Sequence, residues 1–235
     1  MSGQLVIVRH ADTDWTVSGR HTGLTDVPLN GAGRAKALTL REPLARWAFS
    51  AVWSSPLSRA TETAALAGFT PAKRDELHEW NYGDYEGLTT AQIRERRPGW
   101  ELWRDGCPGG ETAAEVAGRA DAVLAALPPA GDVLVFSHGH MLRVLTARWL
   151  GLQAADGALF PLAPGGIGVL EATIVALAPN GEVIGPLIAF RIISYLGPFA
   201  FGVIGLAVSE LRERLAHRAD QRARLAHRAD QRAQI

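Results

Sequence analysis

Two histidines that close short apolar runs carry the chemical interest of the chain. The first ends Leu5-Val6-Ile7-Val8-Arg9-His10, and the second lies in Asp132-Val133-Leu134-Val135-Phe136-Ser137-His138-Gly139-His140. A buried strand that stops at a reactive side chain and passes into a polar or glycine-containing turn is how an α/β protein delivers groups to one edge of its sheet. Two imidazoles and an arginine gathered there point to phosphoryl chemistry. Hydrolysis of a phosphate monoester through a covalent intermediate needs a nucleophile in the correct tautomer, positive charge around the phosphoryl oxygens and an acid for the leaving oxygen. His10 can attack through its free ring nitrogen. Arg9 and Arg59 can fork onto phosphate oxygens. His138 can donate to the same oxygens, and the Gly139 N–H at a helix start adds a backbone donor. Glu79, in Leu77-His78-Glu79-Trp80, is a carboxyl in Trp-rich surroundings. Partial burial there is expected to keep a proton available for the leaving group. No step calls for a metal or another cofactor, and the sequence offers no evident carboxylate cluster to hold a metal.

The elements that must position these groups can be read from pattern. Residues 5–9 form a parallel strand apolar on both faces. A helix is expected from Asn30 or Gly31 towards Trp47, kinked or broken at Pro43. Ala51–Ser54 reads as a second strand, and the turn Ser55-Pro56-Leu57-Ser58 leads into a helix through Ala60–Leu66 with Arg59 in its first turn. Residues 78–112 have little periodicity and hold Trp80, Trp100 and Trp103; long irregular stretches of this kind are often functional. Thr112-Ala113-Ala114-Glu115 matches a capping box, opening a helix that Pro128 and Pro129 end. A strand over 132–137 precedes a helix from about Met141. Gly166–Ala172 and Glu182–Ala189 read as strands joined through Asn180-Gly181, a hairpin-type turn. Strands alternating with helices predict a three-layer α/β/α sandwich with a mostly parallel central sheet.

The chain has 235 residues, a formal net charge of +0 and 47% hydrophobic residues. That suffices for one domain with a sizeable core and argues against a general attraction to nucleic acid. A single cysteine, Cys107, excludes an internal disulfide and suits a reducing cytosol; no signal peptide is evident. The expected domains are 1–190, catalytic, and an atypical extension over 191–235. Ile192–Ser209 carries no charge over eighteen residues, the lower edge of a membrane-spanning helix, although Pro198 and its glycines weaken that reading. Arg214–Ala223 is repeated unchanged as Arg224–Ala233. A ten-residue step turns a helix by about 1000°, about 80° short of whole turns, so the apolar stripe drifts and fits no supercoil repeat. A cytoplasmic protein is favoured, with a membrane anchor through 192–209 as the alternative, and a dimer stays open.

Arg9-His10-Ala11-Asp12-Thr13-Asp14-Trp15 resembles the Arg-His-Gly-Glu-Thr-x-Trp signature of the histidine phosphatase superfamily, branch 1, the phosphoglycerate mutase-like group. The likeness continues through Gly19–Asp26 and Pro28-Leu29, and resumes at Ser54–Ala60, at Glu79–Gly87 and at Ser137–His140. The resemblance implies that His10 becomes phosphorylated, that Arg9, Arg59 and His138 complete the phosphate pocket, and that Glu79 donates the proton. It also implies substrate contacts from Thr22, Gly23 and Tyr82. Two departures stand out: Ala11 replaces a glycine, which costs stability if the site needs a positive φ there, and Asp12 replaces a glutamate. Glu79–Gly87 with Leu102–Thr112 is similar to actinobacterial acid phosphatases and to the fungal sedoheptulose-1,7-bisphosphatase type. The expected function is therefore metal-independent hydrolysis of small phosphate monoesters, with sugar phosphates as the expected class. The alternatives are a phosphoglycerate mutase, for which Arg96-Arg97-Pro98 is a weak cue, and a membrane-tethered phosphate-binding protein with little turnover.

Overall fold

Alternation along the first strand decides the layering. The computed structural model describes residues 3–171. In β1 (Gln4–Arg9), Leu5 and Ile7 face one apolar cluster while Val6 and Val8 face another. A strand buried on both sides needs helices on both sides. The chain then runs through α1 (Asp14–Ser18), α2 (Gly31–Thr39), α3 (Arg41–Leu44), β2 (Phe49–Ser54), α4 (Ser58–Leu66) and β3 (Ala72–Lys73). It continues through α5 (Thr90–Arg96), α6 (Leu102–Asp105), α7 (Ala113–Ala125), β4 (Asp132–Ser137), α8 (Gly139–Trp149) and β5 (Ile167–Glu171). Leu40, Leu44, Ala64 and Ala67 from α2–α4 and their ends pack on Val6, Val8, Leu134 and Phe136. On the opposite face Val116, Ala120 and Val123 of α7 and Met141, Leu142, Val144 and Leu145 of α8 cover Leu5, Ile7, Val133 and Val135.

The described sheet has five strands in the order β3-β2-β4-β1-β5. The β1–β4, β2–β4 and β2–β3 pairs are parallel and β1–β5 is antiparallel. This is the expected three-layer, mostly parallel architecture. Expected boundaries moved in three places. The helix from Asn30 stops at Thr39 and α3 restarts at Arg41 with Pro43 inside its single turn, where a missing N–H breaks no ladder. α8 begins at Gly139, two residues early, because His138 is its N-cap. The segment 78–112 is more regular than its composition suggested: it holds a 3₁₀ turn at Gly83–Tyr85, then α5 and α6. The 182–189 strand, the 192–209 apolar run and the duplicated 214–233 tail lie outside the described residues. Among the described residues no helix is long and apolar enough to cross a membrane.

Candidate active site

The β1–β4 register sets the separation of the two histidines. Arg9 pairs with Ser137, so His10 and His138 leave the carboxyl ends of adjacent parallel strands, the edge where open α/β sheets place their ligands. The His10 N–H donates to Ser137 O at 2.9 Å, and the two rings meet edge to face with centroids 5.1 Å apart. His10 Nδ1 lies 2.8 Å from the Ala11 carbonyl oxygen. A carbonyl only accepts, so Nδ1 carries the proton and Nε2 keeps its lone pair. Burial, then Arg59 and Arg9, push the His10 pKa from 6.5 down to about 3. The ring is therefore neutral at ordinary pH.

His138 is held in the opposite tautomer. Arg59 Nε donates to its Nδ1 at 3.2 Å, and its Nε2 lies 2.7 Å from Ser55 Oγ. A guanidinium has no acceptor, so Nδ1 holds the lone pair and Nε2–H donates. Burial first, then Arg59 and His10, keep its pKa well below 6.5. Arg59 itself is fully buried in the first turn of α4. Rather than presenting an open fork, it spends Nη1 on Thr25 O (2.9 Å) and Nη2 on Gly23 O (2.8 Å) and Thr22 O (3.2 Å). It thus gathers the 22–25 loop while its charge acts on both imidazoles.

Arg9 Nη1 donates to Leu162 O at 2.8 Å, and Arg9 Nε is buried with no hydrogen-bond partner. The guanidinium lies over Gly139, where a Cβ would come 3.1 Å from Arg9 Cζ. Burial lowers the pKa of both Arg9 and Arg59, and Glu79 is the foremost negative group opposing it at each. Its surroundings differ from the apolar pocket expected from the Trp-rich sequence. The carboxyl is buried, but its Oε1 accepts from Trp80 N and Met141 N, both at 2.9 Å, and its Oε2 from His140 N at 3.1 Å. Two of these donors are first-turn amides of α8, the natural partners of a carboxyl group. Nearby acids are engaged elsewhere: Glu76 with Arg74, and Glu86 with the N–H groups of Gly23 and Thr25.

Of the three substrate contacts implied by resemblance, Thr22 donates its hydroxyl to Arg20 O at 3.1 Å, and Gly23 gives its N–H to Glu86 Oε1 at 2.8 Å. Tyr82 is buried, with its hydroxyl 2.6 Å from His140 Nδ1. Burial holds the Tyr82 pKa well above 10.0 and the His140 pKa well below 6.5, so the phenol donates and the imidazole accepts. His21 leans on Tyr82, and Trp103 meets His140 edge-on. Together they form a wall of rings around His140, two residues beyond His138.

Several contributors escaped sequence reasoning. Ser55 faces His138. Thr63, one turn after Arg59, donates to Arg59 O at 2.7 Å and accepts the Ala11 N–H at 3.1 Å. Arg143 stacks 4.7 Å over Trp103, anchored on the carbonyls of Gly157 and Ala158; its place one turn beyond the α8 start was the available signal. The concern over Ala11 dissolves, since no non-glycine residue among those described has a positive φ. Cys107 is a packing residue, its pKa pushed up to about 12 by burial and then Glu86. Among the described residues no three His, Cys, Asp or Glu converge as a metal site.

Residues 5–174 match the histidine phosphatase superfamily (branch 1). An acid phosphatase of Mycobacterium tuberculosis is 43% identical over 179 residues, covering 71% of this chain and 85% of the relative. A sedoheptulose 1,7-bisphosphatase of Saccharomyces cerevisiae is 34% identical over 187 residues, 65% of this chain and 69% of that protein. Among solved structures, an open reading frame product of Mycobacterium tuberculosis superposes with a TM-score of 0.69 at 41% identity, covering 72% of this chain and 91% of the other. Mycobacterial glucosyl-3-phosphoglycerate phosphatase, in complex with VO3, gives 0.65 at 32% identity, with 72% and 93% covered.

Proposed function

The chain belongs to branch 1 of the histidine phosphatase superfamily, and we propose that it hydrolyses small phosphate monoesters through a phosphohistidine at His10. The observation that carries this reading is the tautomer of His10: Nδ1 is tied to the Ala11 carbonyl, so a neutral Nε2 lone pair is available between two arginines and a second imidazole. The Nε2 lone pair attacks phosphorus and the bond from phosphorus to the ester oxygen breaks. Arg9 and the Gly139 N–H donate to the phosphoryl oxygens, the His138 Nε2–H exchanges Ser55 Oγ for one of them, and buried Arg59 adds charge while fixing the His138 tautomer. Glu79 gives its proton to the leaving oxygen. Oε2, with one backbone donor against two on Oε1, is the oxygen suited to carry it. In the second half the carboxylate takes a proton from water, which attacks phosphorus, breaks the P–N bond and releases inorganic phosphate. No metal enters these steps.

Hydroxylated, sugar-like leaving groups are the substrate class this reading favours. Support comes from relatives named for sugar phosphates and from the wall of His21, Tyr82, Trp103 and His140. Phosphatase is favoured over mutase. Of the arginines at the end of α5, Arg97 pairs with Asp105 at 3.6 Å and Arg94 with Trp100 O, so two of them are turned to their own neighbours. The test is phosphate release across sugar mono- and bisphosphates, with acid-quenched protein assayed for phosphohistidine. Loss of both signals in His10→Ala is expected. Unchanged hydrolysis in that variant would refute the mechanism. A 3-phosphoglycerate reaction, primed with bisphosphoglycerate, that yields isomer faster than free phosphate would favour the mutase.

A further inference from the structure

The segment carrying Glu79 is held by a pair that has no part in the chemistry above. Arg119, on α7, uses all five of its N–H groups on oxygen. Nε donates to Glu111 Oε1 and Nη2 to Glu111 Oε2, both at 2.8 Å. Nη1 donates to the carbonyls of Glu76 (2.7 Å) and His78 (2.8 Å), and Nη2 also reaches Glu79 O at 3.4 Å. Glu111 completes the grip: its Oε2 accepts the Asn81 N–H at 2.9 Å, its carbonyl accepts Trp80 Nε1–H at 2.8 Å, and its own N–H donates to Asn81 O at 2.9 Å. Both side chains are largely buried, at 16% and 17% exposure. Residues 76, 78, 79, 80 and 81 are thus each tied to one ion pair.

We propose that Arg119, braced by Glu111, is a positioning residue for leaving-group protonation. The argument is geometric. The carbonyls of 76 and 78 take their donors from Arg119, and that of 79, which His78 Nδ1 also meets at 2.8 Å, lies at the edge of its reach; a planar five-donor group can serve these positions together while a carboxylate fixes its plane. That leaves the Glu79 side chain one course, onto the α8 amides and towards the site. Lysine keeps the charge but has no fork, so it cannot hold three carbonyls and a carboxylate in one plane. Displacing a proton donor by a fraction of an ångström weakens a transfer that depends on reach. It spares a step that needs no proton.

The inference rests on Glu79 being the acid, and the test separates the two. The kcat/KM of the full chain is measured for phosphate monoesters graded from p-nitrophenyl phosphate, whose leaving group departs unaided, to an alkyl phosphate, whose leaving group needs the proton. Arg119→Lys and Glu111→Gln are compared with Glu79→Gln and the parent. For both clamp variants a loss of about tenfold or more is expected on the alkyl ester against less than about threefold on the aryl ester. A loss equal across the series assigns the pair a merely structural role and overturns the inference. Glu79→Gln serves as the reference: if its own loss is flat, the acid assignment fails. If its loss is steep while the clamp variants are flat, the positioning claim alone fails. Thermal unfolding shows which variants fold; if Arg119→Lys does not, Glu111→Gln, which keeps the side-chain shape, decides.

Discussion

At the scale of single residues, the site works by fixing which nitrogen holds a proton. The Ala11 carbonyl and the Arg59 guanidinium select opposite tautomers at His10 and His138, and neither partner could accept the other arrangement. Burial first, and then two arginines, hold the His10 pKa near 3. A histidine nucleophile must be neutral, and lowering its pKa moves the loss of the lone pair to more acid pH. In an NMR titration of the ligand-free protein, the His10 ring resonance is expected to stay at its neutral position through 6.5 and to move only towards about 3; a midpoint near 6.5 would contradict the burial. Ala11 gives a second check. Its backbone does not use the left-handed region, so Ala11→Gly relieves no strain; it loosens the unfolded chain and removes a buried methyl packed with Leu29 and Ala37. A change in kcat within about twofold and a loss of roughly 1–2 kcal/mol in urea unfolding are expected. Arg9, His10, Arg59 and His138 could be singled out in sequence because each stands at a strand end or helix start, whereas Thr22, Gly23, Glu79 and Tyr82 lie in loops, where no such cue exists. Their partners were not, because Ser55, Thr63 and Arg143 look like ordinary polar side chains until the fold sets them beside an imidazole or an indole.

At the scale of elements, α8 is the piece on which most of the site converges. Its first turn supplies amides to Glu79, its N-cap is His138, and its first residue is a glycine over which Arg9 lies. Gly139→Ala separates these roles. Alanine favours the helix, yet its Cβ would come 3.1 Å from Arg9 Cζ, so the guanidinium must shift by a few tenths of an ångström. The expected outcome is a KM raised about three- to tenfold with unchanged or slightly higher Tm, since one phosphate contact weakens while the helix gains propensity. A simultaneous fall in Tm would mean that the helix, not the arginine, has moved. The strands β1, β2, β4 and β5 and the start of α8 were readable to within two residues, as hydrophobic period and caps are local, whereas the helix from Asn30 was read too long and the two-residue strand Ala72–Lys73 was not read at all. The 78–112 stretch was underread: Thr89 and Gln92 form a capping box opening α5, a local cue that was present. The path of Glu76–Asn81 was not legible, because it is set by Arg119 on a helix some forty residues later in the chain.

For the whole molecule, the cost of a neutral site appears as acid sensitivity. His10, His21, His138 and His140 are all held below 6.5, in each case chiefly by burial, to about 3 at His10 and about 4 at His21. As pH falls below 6.5 the unfolded chain takes up protons that the folded chain refuses, so stability declines through that window towards about 4. Carboxylates such as Asp105, held near 2 by Arg104, begin to contribute only below 3.8. A Tm that drops between these limits in phosphate-free buffer, and recovers on adding inorganic phosphate, is the expected result. A ligand at about a hundred times its Kd adds ~2.7 kcal/mol, and a flat profile would count against the depressed imidazoles. The sheet order has a consequence of a different kind. β1 is made first but lies between β4 and β5, whose residues come more than a hundred positions later. During synthesis His10 is therefore a bare imidazole on an unpaired strand, with neither His138 nor the α8 amides yet in existence. The site is therefore completed from its late end: His10 gains its neighbour only once residues 132–138 are made and pair, and Arg9 gains its anchor on Leu162 O later still.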